Sequence, residues 1–438
     1  MGRAWAVVDL GFGDAGKGLV VDALVRRTGA DVVVRAQGGA QAAHTVHTPD
    51  GRRHTFAQLG AGSFVAGTCT VLAPGMIVHP TALRVEAERF VAAGGPPPEV
   101  WLHPGCALIT PYDQALNRLR ELARGAGRHG SCGVGVGEVA ASVLGGEEVP
   151  RAGDLCDVDR LRERLCTRRA RARAVLAELT LPDDPRVHAE RAVFDTAGVD
   201  DAWLARVGPL ASIVVTDDEV GARLRAARGV IFEGAQGVLL DRTRGFPPHQ
   251  GWTDAGFGPA AALVDRHCPH TTLHRLGVLR AFPTRHGAGP FPSEVLGRTF
   301  PEDNSPNPWQ GPVRSGDFDA VLGRYALAAV GGVDTLVLTW LDALAHTPFR
   351  LVDAYLLDGV PTASLPAPGD AAHQAGIGRL LGRAQARRGP AVVGEPEVLA
   401  AVEAALGVPV GFVSRGRTAS TFEDRGIGEP EGGAPRPA

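Results

Sequence analysis

Along this chain, short and almost wholly apolar runs alternate with amphipathic stretches. Residues 4–10 form a run suited to a strand buried on both faces, and residues 19–25 follow it with helical spacing. Residues 31–35 predict a second strand, and 46–56 a hairpin turning at Pro49-Asp50-Gly51. A strand at 69–72, a helix at 80–92 and a strand at 100–102 continue the alternation. Later apolar runs at 213–215, 230–232, 276–279 and 335–341 predict strands that lead into loops. This order predicts an α/β fold: one large domain with a mostly parallel central β-sheet, flanked by helices and small subdomains. We place the domain at residues 1–423 and read 424–438, ending GEPEGGAPRPA, as a disordered tail.

Between about residues 110 and 185 the pattern is helical. Residues 157–179 carry many arginines, but Leu161, Leu165, Val175 and Leu176 recur at helix-like intervals. That spacing predicts an amphipathic helix with a solvated arginine face, not a nucleic-acid strip. With 438 residues, 44% of them hydrophobic, and a formal charge of −3, the chain has a core to bury and no general pull towards polyanions. The expected partner is a small molecule, with no nucleic acid and no membrane, because no apolar run is long enough to cross a bilayer. The start MGRAWAVVDLGFGD runs directly into strand and loop, so the expected compartment is the cytoplasm. Six cysteines without a CxxC pair predict reduced thiols and no zinc site.

One compositional fact changes the picture. Lys17 is the only lysine among 45 basic residues. Arginine serves wherever a cation only solvates a surface, so a single retained lysine points to a place where a compact ammonium is needed. It stands in Gly11-Phe12-Gly13-Asp14-Ala15-Gly16-Lys17-Gly18, between a strand and a helix. Glycines there allow close backbone approach, helix-start amides attract anions, and lysine adds charge: the ingredients of a phosphate cradle. The string is not a Walker A motif, which needs GxxxxGK followed by Ser or Thr. A tight turn needing glycine is the plainer reading of the loop, and a helix N-cap the plainer one for Asp14. Asp14 can also hold magnesium or accept a substrate proton. His44 ends a second small-residue loop, where an imidazole can assist phosphoryl transfer; alone, a histidine is more often structural. Gln236 in FEGAQG offers an amide to a ring nitrogen or carbonyl, or is a common loop residue.

Taken in order, VVDLGFGDAGKG, VVRAQGGAQAAHTV, FEGAQGVLLD, RHGAGPFPSE and LTWLDAL resemble the adenylosuccinate synthetase family over residues 4–418. The resemblance implies a P-loop-NTPase-related single domain, a homodimer, and a ligase dependent on magnesium and GTP. Such an enzyme phosphorylates the 6-oxygen of inosine monophosphate and then lets the amine of aspartate displace the phosphate. Carried across, it implies that Asp14 is the base that takes the N1 proton and a magnesium ligand, Lys17 the phosphate-binding lysine, and His44 the acid. Gln236 would bond the purine and its 6-oxyanion. Gly13, Gly16 and Gly18 would line the phosphate loop, the Ala43 carbonyl would meet magnesium, and Asp342, Ser414 and Gly416 would hold guanine.

Departures from the family pattern are as informative. Phe12 stands for a tryptophan and Ala15 for a glutamate. On the purine side, Gln41 stands for an asparagine, and Cys132 and Phe246 for threonines. Gly145-Gly146-Glu147-Glu148 stands where an arginine crosses the dimer, with Arg151 the nearby cation. The aspartate-gripping loop is replaced by residues 304–314, leaving Arg314 for a carboxylate, and Trp340 stands for a guanine-stacking lysine, so ATP joins GTP as a candidate co-substrate. The resemblance therefore implies a nucleoside-triphosphate-dependent C–N ligase acting on inosine monophosphate or a similar purine nucleotide or nucleoside analogue with aspartate. The alternatives are a specialised-metabolism or 2-aminoadenylosuccinate-type variant with a changed acceptor or amine, and, in another class, a non-catalytic nucleotide-binding regulator.

Overall fold

The computed structural model describes residues 2–300, 309 and 311–426. Its centre is a nine-stranded sheet: β1 (Arg3–Asp9), β2 (Val32–Arg35), β3 (Cys69–Leu72), β4 (Glu99–Leu102), β5 (Gly229–Gly237), β6 (Leu273–Arg280), β7 (Thr335–Thr339), β8 (Val410–Ser414) and β9 (Phe422–Asp424). The spatial order is β9-β8-β7-β6-β1-β5-β2-β3-β4. All neighbours are parallel except β8 and β9, so an antiparallel strand closes one edge. The expectation of a mostly parallel sheet holds.

The apolar runs reach both faces because successive side chains alternate. Ala4, Ala6 and Val8 enter one hydrophobic layer while Trp5 and Val7 enter the other. Val32 and Val34 likewise face opposite to Val33. Helix α1 (Lys17–Thr28) follows β1, opening at Gly16 and closing at Gly29, both left-handed. A hairpin of His44–His47 and Arg53–Phe56 stands where expected. The helix Pro80–Ala92 has the predicted bounds, with Pro80 in its first turn and the His79 side chain accepting from the Ala82 amide.

Two expectations are corrected. Residues 213–215 do not form a strand: a 3₁₀ turn runs through Ile213 and only Val214 bridges, to Leu102, because this segment passes the sheet end without a partner along its length. The helix Val158–Ala177 is present with Leu161 and Leu165 buried and Arg160, Arg162, Arg171 and Arg173 exposed as expected, but the arginine face is laced with ion pairs and one member is taken inside. Arg168 is buried against Asp113, Arg162 pairs with Asp201, Arg164 with Asp154, Arg171 with Glu147 and Arg173 with Asp195. Neighbouring helices supply carboxylates that the helix's own periodicity cannot show. β9 takes in Asp424, and residues 427–438 lie outside the described part.

Strand order reverses at β1, so the carboxyl ends of β1, β5 and β6 border a crevice of the kind that binds ligands in open α/β sheets. The loop after β1 rests on the end of β5. A Cβ on Gly237 would lie 2.1 Å from the Gly11 oxygen and 2.3 Å from the Gly13 nitrogen. Gly237→Ala is therefore expected to cost about 1–3 kcal/mol by overpacking and to displace the loop. Urea unfolding together with titration of a fluorescent nucleoside triphosphate checks this; unchanged stability and affinity would contradict the packing.

Candidate active site

The site is a row of strand ends. From one side to the other come Ser414 after β8, Asp342 after β7, Arg280 at the end of β6, the loop 11–16 after β1, Gln236 in β5 and Gln41 beyond β2.

At the centre, the Asp9 carboxylate is wholly buried at the end of β1. It accepts from the Gly11 amide at 2.8 Å, the Ala15 amide at 3.0 Å and Lys17 Nζ at 3.0 Å. The loop is thus wound around a carboxylate, and the lone lysine is held at its exit. Within it Gly13, Asp14 and Gly16 all have positive φ, of 95°, 59° and 90°. Aspartate tolerates this region better than most residues. Its conformation is held from outside: Arg280 Nη1 donates to the Asp14 carbonyl at 3.3 Å, and His286 Nε2 lies 2.7 Å from Asp14 Oδ2. Burial alone would raise the Asp14 carboxyl, but the His286 hydrogen bond and charge, then Lys17 and Arg280, hold it below the usual carboxylate range. Asp14 is therefore an ionised base. Thr339 Oγ1, at the end of β7, donates to the Ala15 carbonyl at 2.7 Å and ties the loop to the sheet's other half.

His44 packs over Gly18, where an added Cβ would sit 3.1 Å from His44 Cβ and from its carbonyl carbon. Close approach of this imidazole to the helix start requires glycine. His44 Nδ1 bonds Glu233 Oε1, and Nε2 lies 3.2 Å from the Ala235 carbonyl. Glu233, buried, also accepts from the Ala61 amide at 2.9 Å and faces Arg35 Nη1 at 3.9 Å. Burial works against its charge, but Arg35 and His44 outweigh that and lower its pKa. Both His44 nitrogens face acceptor oxygens, but burial, together with Lys17 and Arg35, outweighs the support of Glu233 and holds the His44 pKa below the usual imidazole value.

Beside β5, Gln236 and Gln41 each carry a buried amide oxygen with no partner among the described residues. Gln41 lies over Gly39, and Ala43, two residues on, is exposed. Cys132 is half-buried in the loop before the helix Val136–Leu144, and burial raises its thiol pKa. Three expected ligand residues are otherwise engaged. Arg151 donates Nη1 to the Gly105 carbonyl at 2.7 Å. The Phe246 side chain is fully buried in the core, its ring 5.5 Å from that of Tyr325, and shows no face to a ligand. Arg314 pairs with Glu294 at 2.8 Å and donates to the Gly289 carbonyl, while its Nε is buried and unpartnered. Arg314 does line a cavity of about 540 Å³ with His249, Glu294 and Arg379. Of the loop 304–314, residues 304–308 and 310 lie outside the described part.

On the triphosphate side, Asp342 is exposed after a left-handed Trp340 (φ 63°), and Ser414 is buried with its hydroxyl on the Gly416 carbonyl. Stacking of a base on Trp340 is restricted: Arg280 lies 3.5 Å from the indole centroid and Phe300 meets it edge-on. No group of three His, Cys, Asp or Glu side chains suited to a metal exists among the described residues. Asp14, an ionised carboxylate, is an oxygen donor of the kind magnesium takes. No helix among the described residues is long and apolar enough to cross a membrane.

Asp9, Arg35, Glu233, Arg280 and His286 escaped the sequence reading. Asp9, at the end of β1, and Glu233, within β5, stand inside the motifs already picked out, which was the available signal. Glu233→Gln leaves Arg35 buried without an anion and is expected to cost about 3–5 kcal/mol at neutral pH. Because the folded pKa of Glu233 is lowered, its contribution is complete above the unfolded value and is lost as pH falls through the folded one. Urea unfolding of both proteins should show the gap narrowing on acidification below the ordinary carboxyl range; a gap that ignores pH would sink the assignment.

Known proteins resemble this chain in sequence and in fold. Residues 6–380 match the sequence profile of the family described as adenylosuccinate synthetase. The adenylosuccinate synthetase of Parasynechococcus marenigrum (strain WH8102) is 32% identical over 370 residues, 81% of this chain and 79% of that one. The fully ligated adenylosuccinate synthetase of Plasmodium falciparum shares the fold, with a TM-score of 0.75, 18% identity, and 97% and 100% of the two chains covered. Cyanophage S-2L succinoaminodeoxyadenylate synthetase (PurZ), bound to dGMP and to dATP as an energy donor, superposes with a TM-score of 0.59 at 19% identity over 97% of this chain and 95% of that one. The chain belongs to the adenylosuccinate synthetase family of nucleoside-triphosphate-dependent, C–N bond-forming ligases.

Proposed function

We propose that the protein transfers the γ-phosphoryl group of GTP or ATP to the 6-oxo group of inosine monophosphate or a similar purine nucleotide or nucleoside analogue, then joins that carbon to the amine of aspartate. The observation that carries this reading is the meeting of Asp14, Lys17, His44 and Gln236 where β1 and β5 lie side by side. Asp14, held ionised, takes the N1 proton, and the electron pair moves to O6, where the Gln236 amide donates a hydrogen bond. O6 attacks the γ-phosphorus. Lys17 and the amides about Gly13, Gly16 and Gly18 hold the phosphates, and His44 donates through Nε2 to the departing oxygen. Phosphorylation turns the poorly leaving O6 into a good leaving group; the amine then attacks C6, the C6–O bond breaks, and inorganic phosphate departs carrying the proton the amine gives up.

Asp14 and the Ala43 carbonyl are the residues that would hold magnesium, which when bound neutralises charge on the phosphate oxygens. Asp342, Ser414 and Gly416 read the triphosphate's base, Gln41 and Cys132 border the acceptor, and Arg314 takes a carboxylate of the amine donor. The reading includes a homodimer and a soluble cytoplasmic setting; Arg151, which donates to the Gly105 carbonyl, would have to give up that bond to reach a partner's acceptor site.

Phosphate release with mass analysis tests it, using inosine monophosphate or inosine, aspartate, magnesium and either triphosphate. Aspartate-dependent release with a succinylated purine is expected; release that ignores every purine overturns the reading. Lys17→Arg keeps the charge but is expected to lower turnover at least ~100-fold, because a planar guanidinium cannot occupy the ammonium's place between Asp9 and a phosphate. Near-normal turnover would refute that role.

A further inference from the structure

On the acceptor side, two carboxamides and an indole form one continuous surface. Gln41 lies over Gly38 and Gly39, with Val136 against Gly39, since a Cβ there would be 2.8 Å from both Gln41 Oε1 and Val136 Cγ2. Trp252, half exposed, covers Gly137, where a Cβ would sit 2.9 Å from the indole Cδ1. The adjoining Gly251 touches Gln236, with only 2.5 Å from its Cβ position to Gln236 Oε1. Both amide oxygens are buried without partners among the described residues. Such a pair asks for a ligand with donors besides the N1–H that Asp14 takes, such as the ribose hydroxyls of a nucleoside or the imidazole N–H of a free base, and an indole beside them offers a face for a flat ring.

Among the described residues beside this surface, Arg118, Arg120 and Arg168 are already committed to the protein's own anions. The guanidinium groups nearest the loop 131–137 are each engaged by the protein. Arg118 donates to the Gly133 carbonyl and pairs with Glu190, Arg120 pairs with Glu138, and Arg168 holds Asp113 and Ser142. Glu138 stands in the first turn of the helix Val136–Leu144, so the charge that directly follows the loop is negative. A phosphate monoester brought here would displace existing hydrogen bonds and approach carboxylates.

We propose that the acceptor is an uncharged lactam-bearing purine, a nucleoside or free base without a 5′-phosphate, held by Gln41 and Gln236 and stacked on Trp252. This rests on the purine-ligase reading above and narrows its substrate. Isothermal titration of the full chain with inosine and with inosine monophosphate, without triphosphate, tests it. Inosine is expected to bind at least as tightly as its monophosphate, with less than a twofold change in Kd between low and high salt. Trp252→Ala is expected to weaken inosine binding about tenfold, while Trp252→Phe restores most of it. Circular dichroism of each variant separates lost binding from lost folding. Monophosphate binding tenfold tighter than inosine, and weakened by salt, overturns the inference and leaves the ligase reading standing. Binding of neither compound, with the triphosphate still bound, overturns both.

Discussion

The phosphate loop is organised by a buried ion pair. Asp9 is sealed at the end of β1, and its two oxygens take up a lysine ammonium and two loop amides. An ionised group so placed is stable because a cation and two amides meet its oxygens; removing one partner of such a pair costs about 3–5 kcal/mol. The constraint acts outward. It fixes the helix start, draws Gly11 and Ala15 inward, and turns Asp14 out in a left-handed conformation. Lysine has three rotatable donors, so it can keep one on Asp9 while the others meet a phosphate. A guanidinium, planar and wide, cannot share itself in that way, which accounts for one lysine surviving in an otherwise arginine-only chain.

A second buried charge system stands across the crevice. Arg35 from β2 and His44 from the hairpin both face Glu233 of β5, so three elements distant in sequence converge on one carboxylate. Glu233 also takes the Ala61 amide, which ties the segment after the hairpin to the sheet. The imidazole is thereby oriented by groups that need touch no substrate. The Asp9 and Glu233 systems lie on neighbouring strands, and the glycine-to-backbone contact at Gly237 sets their separation.

Much of this was legible in the chain. Runs of valine and alanine with period-two burial mark the central strands, and the motif residues Asp14, Lys17, His44 and Gln236 declare themselves by their glycine-rich settings. The supports were harder to see, because a buried carboxylate such as Glu233 reads like any other acid until the fold shows what faces it. Phe246 illustrates the reverse: its place in a motif suggested a ligand contact, yet the core took its side chain. On the helix Val158–Ala177 most arginines face solvent as their spacing suggests, but Arg168 is buried because its carboxylate partner Asp113 lies on another helix. Arg280 could not be foreseen beneath Trp340, since that stacking joins side chains sixty positions apart.

The row of strand ends has an evolutionary consequence. Each ligand is met by a loop that leaves a different strand, and those loops share only the rigid sheet beneath them. A replacement beyond β2 or after the helix start at Val136 alters the acceptor surface without moving the groups that handle the triphosphate. Selectivity can therefore drift one ligand at a time while the transfer chemistry stays in place, so a lineage can acquire a new metabolite without passing through an inert intermediate.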